Sequence, residues 1–223
     1  MQEKTFILSE TGHKLSAIHS RSSKDSKETV VWCHGLNSSK DSTTIKRLEK
    51  LLLPKNISVF RFDFYAHGES EGEKTKRDLN KFVSNVKIAI KHVKSLGYEN
   101  IGLFGSSFGG VASVIAASEN DDVKVMALKA PGMGQTSRNM SEYNKDFTNK
   151  TWIKAGEKVK IPTLIVHGSG DKDVEVSFGE LLSKSIKKSK LIIYEGANHL
   201  FTKKEDFERM TKDISDFFHE KLK

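Results

Sequence analysis

The sequence contains a single cysteine, Cys33, among its 223 residues. One thiol cannot form a disulfide within the chain or a multi-cysteine metal cluster, so both kinds of cross-link are excluded. The absence of disulfides is typical of proteins from reducing compartments. A chain of this length does not need such cross-links, because its fold can bury most of the surface that the unfolded chain exposes.

Long apolar runs are also absent. The stretch MQEKTFILSETGHK lacks the apolar segment of a secretory signal, and no run approaches the roughly 18 apolar residues of a membrane-spanning helix. We therefore expect a cytoplasmic protein that has no membrane partner. The net charge of +8 comes from lysines scattered over predicted helix faces, without interleaved aromatic residues. We expect a solvated basic surface and no nucleic-acid partner.

Short apolar segments alternate with helical patterns along the whole chain. The first two segments predict an antiparallel hairpin that turns at Thr11-Gly12. The later ones are separated by amphipathic stretches, which predicts an α/β fold with a mostly parallel sheet and helices on both faces. The eight predicted strands are KTFILSE, KLSAIHS, ETVVWCHG, NISVFRFD, NIGLFG, VKVMALKA, IPTLIVHG and KLIIYEG.

The segment IGLFGSSFGG places two adjacent serines between a predicted strand and a predicted helix. A nucleophile on a sharp strand-to-helix turn needs small residues two positions before and after it. Gly105 and Gly109 meet this need for Ser107, whereas two phenylalanines take these places around Ser106. The pattern predicts Ser107 as a nucleophile, although a purely structural Gly/Ser turn would also fit.

A serine hydroxyl needs a base to remove its proton, and a histidine held by an acid is the usual base. Functional residues of open α/β sheets lie at the carboxyl ends of the strands. Asp171 and Asp173 follow the seventh predicted strand, and His199 follows the last one. A solvated turn would also explain the two aspartates, and a loop histidine without a catalytic role would also explain His199. The pattern alone leaves both aspartates as candidates for the acid.

Three other interpretations use different features of the chain. A metallohydrolase would use His34, His67, His167 and His199, but these histidines lack helical spacing and a carboxylate cluster, so we predict no metal and no cofactor. Cys33 lies inside an apolar strand, where thiols are usually inert. A non-catalytic binding domain on the same fold would not need a serine, a histidine and an acid together.

The motifs WCHGLN, RFDFYAHGES, GSSFGG, HGSGDKDV and GANHLF occur in this order from Thr29 to the last helix. Together they resemble the α/β-hydrolase superfamily, and especially its small intracellular carboxylesterases, which include feruloyl/cinnamoyl esterase-like and serine aminopeptidase-like enzymes. The resemblance implies one α/β-hydrolase domain over residues 1–223. It also implies a serine hydrolase that cleaves small-molecule esters with small to medium acyl groups. A thioesterase or small-peptide amidase with the same triad is the alternative.

The resemblance gives each candidate residue a role. Ser107 matches the nucleophile and His199 matches the general base. The family places the acid three residues after the glycine of a His-Gly pair, with a valine three residues later. Asp171 fits this spacing after Gly168, whereas Asp173 does not.

The resemblance also implies an oxyanion hole and a cap. The backbone N–H groups of Leu36 and Phe108 match the oxyanion donors. The segment Pro131–Glu157, between the sixth and seventh strands, matches a cap that is shorter here than in feruloyl esterases. Its apolar residues either pack the segment onto the sheet or form a wall of the substrate pocket: Met133, Met140 and Trp152, together with Tyr143 and Phe147.

Overall fold

A computed structural model of the chain describes residues 2–133 and 149–222. Within these residues eight strands form one sheet in the order β1-β2-β4-β3-β5-β6-β7-β8. The strands are β1 (Gln2–Leu8), β2 (Lys14–Ser20), β3 (Glu28–Cys33), β4 (Ile57–Phe62), β5 (Asn100–Ser106), β6 (Val123–Lys129), β7 (Thr163–Gly168) and β8 (Ser189–Tyr194). The helices are α1 (Thr43–Leu52), α2 (Leu79–Ser95), α3 (Phe108–Ser118), α4 (Asn149–Gly156), α5 (Val176–Ser185) and α6 (Lys204–Lys221).

The strand directions confirm the predicted α/β fold with a mostly parallel sheet. β1 and β2 form the predicted hairpin, and β2 is also antiparallel to β4. Every other neighbouring pair from β4 to β8 is parallel. The central strands β3 and β4 are almost continuously buried, because helices cover both faces of a parallel sheet.

Local signals set the ends of several helices. The Ser42 side chain accepts a hydrogen bond from the Ile45 N–H at the start of α1, and Asp78 does the same for Lys81 at the start of α2. Gly97 follows α2 with φ of +92°, a conformation that glycine adopts without steric cost. The residues at these helix ends are therefore of the types that commonly cap helices.

The sheet separates two hydrophobic clusters. Helices α2 to α5 pack in sequence on one face, and α1 packs against α6 on the other. Side chains alternate between these faces along each strand, so the residue at a strand's carboxyl end points toward one helix layer or the other. We call the second face the α1/α6 face, and its cluster includes Trp32, Phe104, Phe201, Phe218 and Ile214.

The structure contains a helix that the sequence pattern did not predict. α4 lies within the segment 131–157, and its Trp152 is fully buried in the core, with its ring 6.4 Å from that of Phe178. A helix of eight residues makes only about two turns, which gives too few apolar positions to reveal a helical period. The predicted cap includes residues outside the described ranges, so it stays a prediction.

Candidate active site

Three candidate catalytic residues lie just beyond the carboxyl ends of parallel strands. Ser107 follows β5, Asp171 follows β7 and His199 follows β8. Since these strands run in the same direction, their carboxyl ends meet at one edge of the sheet. This edge is where open α/β sheets place their ligands.

Ser107 occupies a strained turn between β5 and α3. Its φ of 51° and ψ of −124° place a non-glycine residue at positive φ, a conformation that persists only where the surroundings enforce it. Its N–H donates to the Lys129 carbonyl oxygen at 2.9 Å, and its carbonyl oxygen accepts from the Gly110 N–H at 2.9 Å. The turn leaves Ser107 half-exposed, whereas Ser106 ends β5 and is buried.

The two glycines that flank Ser107 are required by close packing. A Cβ atom on Gly105 would lie 2.6 Å from the Gly110 Cα atom. A Cβ atom on Gly109 would overlap the carbonyl oxygens of Cys33 and His34. The Gly-x-Ser-x-Gly pattern therefore reflects steric needs around Ser107 in particular.

Asp171 and His199 are joined by a short hydrogen bond. The Nδ1–H group of His199 donates to Asp171 Oδ2 at 2.7 Å. The other carboxylate oxygen, Oδ1, accepts from the backbone N–H groups of Asp173 and Val174, both at 2.9 Å. This arrangement leaves Nε2 of His199 as the nitrogen that can accept a proton.

A second histidine contacts the same carboxylate. Nε2 of the fully buried His167 lies 3.3 Å from Asp171 Oδ2 and 3.0 Å from the Val174 carbonyl oxygen, so its N–H is shared between two acceptors. Burial alone would raise the pKa of Asp171, but hydrogen bonds from His167, His199 and Val174 outweigh it and hold the pKa well below its usual range. Asp171 is therefore ionised at neutral pH.

Asp173 differs from Asp171 in its contacts. Its side chain is exposed and lies at the same cavity as His199, and the described bond between Asp173 and Asp171 runs through the Asp173 backbone N–H. The structure thus joins His199 to the aspartate that the family spacing indicated. The sequence pattern alone had left both aspartates open.

The N–H groups of Leu36 and Phe108 have no acceptor among the described residues. Phe108 is the first residue of α3, where backbone N–H groups lack partners inside the helix. Leu36 lies in the turn after β3, next to Gly35, and a Cβ atom on Gly35 would be 3.3 Å from the Ser107 Cβ atom. The absence of a side chain at Gly35 lets this turn approach Ser107 closely.

Two buried histidines hold the turn that carries Leu36. His34 donates through Nδ1 to the Gly35 carbonyl oxygen at 2.7 Å and accepts from the Phe64 N–H at Nε2. Burial lowers the pKa of His34 to about 3, so the ring is neutral. His67 Nε2 lies 2.6 Å from the Leu36 carbonyl oxygen. Both histidines therefore have a structural role, which is to hold this turn in place.

A cavity of about 640 Å³ opens beside Ser107 and His199. Its volume lies within the range of about 300–1,000 Å³ that small-molecule sites occupy. One wall consists of Trp32, Phe201 and Phe207, which belong to the core cluster on the α1/α6 face or pack against it. The described lining therefore extends along the sheet toward α1 and α6.

The three candidate pocket residues have different outcomes. Trp152 lies in the core below the surface, because α4 turns its indole inward, and it is not among the residues that line the cavity. Met133 is half-buried against the core and also does not line the cavity. Met140 lies outside the described residues.

The sequence analysis missed Lys129, which lines the cavity from the end of β6. Its side chain is buried, and its Nζ donates to the His199 carbonyl oxygen at 2.7 Å. Burial lowers the pKa of Lys129 to about 8, although the Asp171 carboxylate opposes the shift. The available signal was a lysine at the carboxyl end of β6, directly after the four apolar residues Val125–Leu128.

The alternative chemistries can be compared with the same geometry. The described residues include one group that could hold a metal ion, formed by Asp171, Asp173 and His199. Of the four histidines that the metallohydrolase interpretation would use, only His199 belongs to this group. Burial raises the pKa of the Cys33 thiol to about 12, which disfavours a thiolate.

Among the described helices, none combines the length and apolar character needed to span a membrane.

The chain matches the family Hydrolase_4, described as serine aminopeptidase S33, over residues 24–154. It is 24% identical over 195 residues to the human alpha/beta hydrolase domain-containing protein 17B, a match that covers 84% of this chain and 66% of that protein. It is 30% identical over 133 residues to alpha/beta hydrolase domain-containing protein aho-3 of Caenorhabditis elegans, covering 56% of this chain and 38% of that protein. The chain thus spans less than two thirds of these relatives' length.

Solved structures share the fold over nearly the whole chain. Est1E from Butyrivibrio proteoclasticus, solved with ferulic acid bound, superimposes with a TM-score of 0.87 at 22% identity, covering 98% of this chain and 99% of that one. The Pyrococcus furiosus esterase Pf2001 gives a TM-score of 0.81 at 21% identity, with 100% and 92% covered. These findings confirm the resemblance to the α/β-hydrolase superfamily. The family match covers more than half of the sequence, and the chain therefore belongs to the Hydrolase_4 (serine aminopeptidase, S33) family of α/β-hydrolases.

Proposed function

We propose that this hydrolase cleaves carboxylic esters of small to medium acyl groups through an acyl-enzyme on Ser107. The observation that carries the proposal is the 2.7 Å hydrogen bond between His199 and Asp171, beside a cavity that both His199 and Ser107 line. A histidine held by a buried carboxylate next to a serine on a strained turn is the arrangement that acyl transfer requires.

In the proposed reaction, Ser107 Oγ attacks the ester carbonyl carbon while His199 Nε2 takes the hydroxyl proton. The tetrahedral intermediate collapses and expels the alcohol, which receives the proton from His199. Water then attacks the acyl-enzyme with His199 again as the base, and this step releases the acid and regenerates Ser107. Asp171 keeps the His199 proton on Nδ1 and stabilises the charged imidazolium that forms in each half-reaction.

The Leu36 and Phe108 N–H groups would bind the negative oxygen of the tetrahedral intermediate. They are free of other acceptors among the described residues, and the N-terminal end of α3 adds a positive potential at the same point. Donors of this kind act when charge develops, and each is typically worth about 10²–10³ in kcat. No metal or cofactor has a role in this scheme.

The similar proteins support an ester substrate. Two of the matched structures are described as esterases or bind ferulic acid, the acid released from feruloyl esters. The family itself is described as serine aminopeptidase, so amides are the natural comparison. A substrate panel of p-nitrophenyl esters, hydroxycinnamate methyl esters, acyl thioesters and aminoacyl p-nitroanilides separates these chemistries. We expect the highest kcat/KM with esters.

The test of the mechanism is labelling by a fluorophosphonate followed by mass spectrometry. Wild type and Ser106→Ala should carry the label on residue 107, and Ser107→Ala should neither label nor hydrolyse esters, with kcat reduced by about 10⁶. Ser118→Ala, at the opposite end of α3 from Ser107, is the matched control for losing a serine hydroxyl. A label on Ser106, or a protein that binds esters without turnover, would contradict the proposal.

The acyl preference follows from the cavity. Each methylene buried there contributes about 0.8 kcal/mol, or about fourfold in kcat/KM, until the chain extends into water. We expect the highest kcat/KM for acyl chains of about two to six carbons, with a decline for longer chains. A maximum at about twelve carbons or more would instead indicate a long-chain lipase or thioesterase.

A further inference from the structure

Two polar side chains lie next to each other on the wall of the active-site cavity. Ser106 ends β5, Lys129 ends β6, and the two residues are paired in the register of these parallel strands. Side chains two positions apart in a strand point to the same face of the sheet. Ser106 comes two positions after Phe104, and Lys129 two positions after Ala127. Because Phe104 and Ala127 both belong to the cluster on the α1/α6 face, Ser106 and Lys129 point toward that face too. Both also line the cavity beside Ser107.

Lys129 presents unused hydrogen-bond donors there. Its ammonium donates to the His199 carbonyl oxygen at 2.7 Å and lies 5.5 Å from the centre of the Phe201 ring. An ammonium has three N–H donors, and the described residues provide no further acceptor and no carboxylate in ion-pair contact with it. Only 3% of Lys129 is exposed, so water replaces those partners poorly.

Ser106 adds a second unused donor. The residue is 8% exposed, and its hydroxyl makes no hydrogen bond within the part of the chain that the structure describes. The hydroxyl is not among the fully buried atoms that lack a partner, so it is open to the cavity that Ser106 lines. A buried ammonium with unused donors costs stability, and a hydroxyl beside it that is free to donate indicates that a ligand in the cavity provides the acceptor.

The chemistry of the missing acceptor is that of an anion. A carboxylate can accept from an ammonium and a hydroxyl at once, and such charge-assisted hydrogen bonds are about twice as strong as neutral ones. The N-terminal residues of α1, Ser42 to Thr44, line the same cavity with the positive end of that helix. With its pKa near 8, Lys129 is mostly charged at neutral pH.

We propose that Lys129 and Ser106 form a subsite for a carboxylate carried by the substrate. The substrate class is then an ester that bears a free carboxylate in its acyl or its alcohol part. This inference rests on the proposed esterase function of Ser107. It differs from a purely positioning role, in which Lys129 would act only through its bond to the His199 carbonyl oxygen.

Matched pairs of substrates test the subsite. For the acyl side, the pair is mono-p-nitrophenyl adipate and its neutral methyl ester. For the alcohol side, the pair is the butyrate ester of para-hydroxybenzoate and that of methyl para-hydroxybenzoate. We expect wild type to favour the anionic member of one pair by about tenfold or more in kcat/KM. The pair that shows the preference identifies the side. A ratio near one in both pairs overturns the proposal.

Three variants connect the preference to the residues. Lys129→Met keeps an unbranched apolar stem without the ammonium and should lower the anion-to-neutral ratio by about tenfold or more, while Ser106→Ala should lower it by about threefold. Lys184→Met removes a charge from the exposed last turn of α5, a helix that does not line the cavity, and should leave the ratio unchanged. An equal loss on both substrates in Lys129→Met would show a positioning role and overturn the subsite.

A binding measurement separates this proposal from the proposed function. Titration calorimetry of Ser107→Ala with adipate should show binding that dimethyl adipate does not show and that the added Lys129→Met substitution abolishes. This result would support the subsite even if no ester were hydrolysed. If adipate fails to bind while esters are hydrolysed, the esterase function stands and the subsite does not.

Discussion

Replacing Asp171 with asparagine tests the acid–base pair directly. In the wild type, Oδ1 of Asp171 accepts from two backbone N–H groups, and Oδ2 faces Nδ1 of His199 and Nε2 of His167. The asparagine amide has the same shape, and its oxygen can keep the two backbone donors. Its NH₂ group then replaces Oδ2 and faces two nitrogens that were donors.

The expected loss follows from the tautomer of His199. To pair with an NH₂ group, Nδ1 must give up its proton, and the proton moves to Nε2. That tautomer cannot accept the Ser107 proton. The same substitution in a serine protease triad lowers kcat by about 10⁴, which corresponds to about 5 kcal/mol of transition-state stabilisation. KM should change by less than about threefold, because Asp171 does not line the cavity.

Asp173→Asn is the matched control. It removes one negative charge from the same loop, but its side chain is exposed, and the described contact with Asp171 is made by its backbone. We expect kcat for p-nitrophenyl butyrate within about threefold of wild type. Circular dichroism and urea unfolding of both variants show whether the fold is retained.

The outcome that refutes this reasoning is specific. If Asp171→Asn folds and loses less than about a hundredfold in kcat, Asp171 does not set the tautomer of the base. If Asp173→Asn loses as much as Asp171→Asn, the acid has been misassigned despite the short contact with His199.

Two further predictions concern stability. Burial lowers the pKa of Lys129 to about 8 from an ordinary value of about 10.4. Over that pH window the unfolded chain binds a proton that the folded chain does not, so stability should rise with pH by up to about 3 kcal/mol. Lys129→Met should lack this rise in urea unfolding between about pH 7.5 and pH 10, and parallel curves would contradict the shift. Gly109→Ala should cost at least about 3 kcal/mol, because its Cβ would overlap two backbone carbonyl oxygens. Gly97→Ala, which meets no atom within 4 Å, should cost only about 1–2 kcal/mol from its positive φ.

Much of the fold could be predicted from the sequence, because parallel strands are buried on both faces and therefore consist mostly of apolar residues. β3 to β7 appear in the sequence as mostly apolar runs, and the turns between them contain glycines and capping residues. α4 was not readable, because two turns do not establish a period, and its tryptophan fitted a pocket as well as a core. Whether the side chain is buried decides between a pocket residue and a core residue, and burial cannot be determined from the sequence alone.

The candidate site could be predicted from the sequence where the packing of the backbone dictates which residue type a position can hold. Gly105 and Gly109 select Ser107 over Ser106, because the neighbouring backbone leaves no room for a Cβ atom at either position. The second histidine on Asp171 was not predicted as a contact, because His167 lies inside β7 and reaches the carboxylate only when the following loop folds back.

The position of the cavity depends on side-chain alternation at the strand ends. A lysine at the end of a strand is ordinarily explained by solvent, and with the alternation shifted by one residue Lys129 would point toward the layer of α2 to α5 instead. Its actual position turns the ammonium into the α1/α6 face, beside Ser106 and below the His199 loop. Trp32 reaches the same cavity from β3. Trp32, Ser106 and Lys129 are thus the part of the described wall that is built on strand ends, and groups on such rigid elements are held more precisely than groups on loops. This rigidity favours recognition of one charged group at a fixed distance from Ser107 over accommodation of many acyl chains.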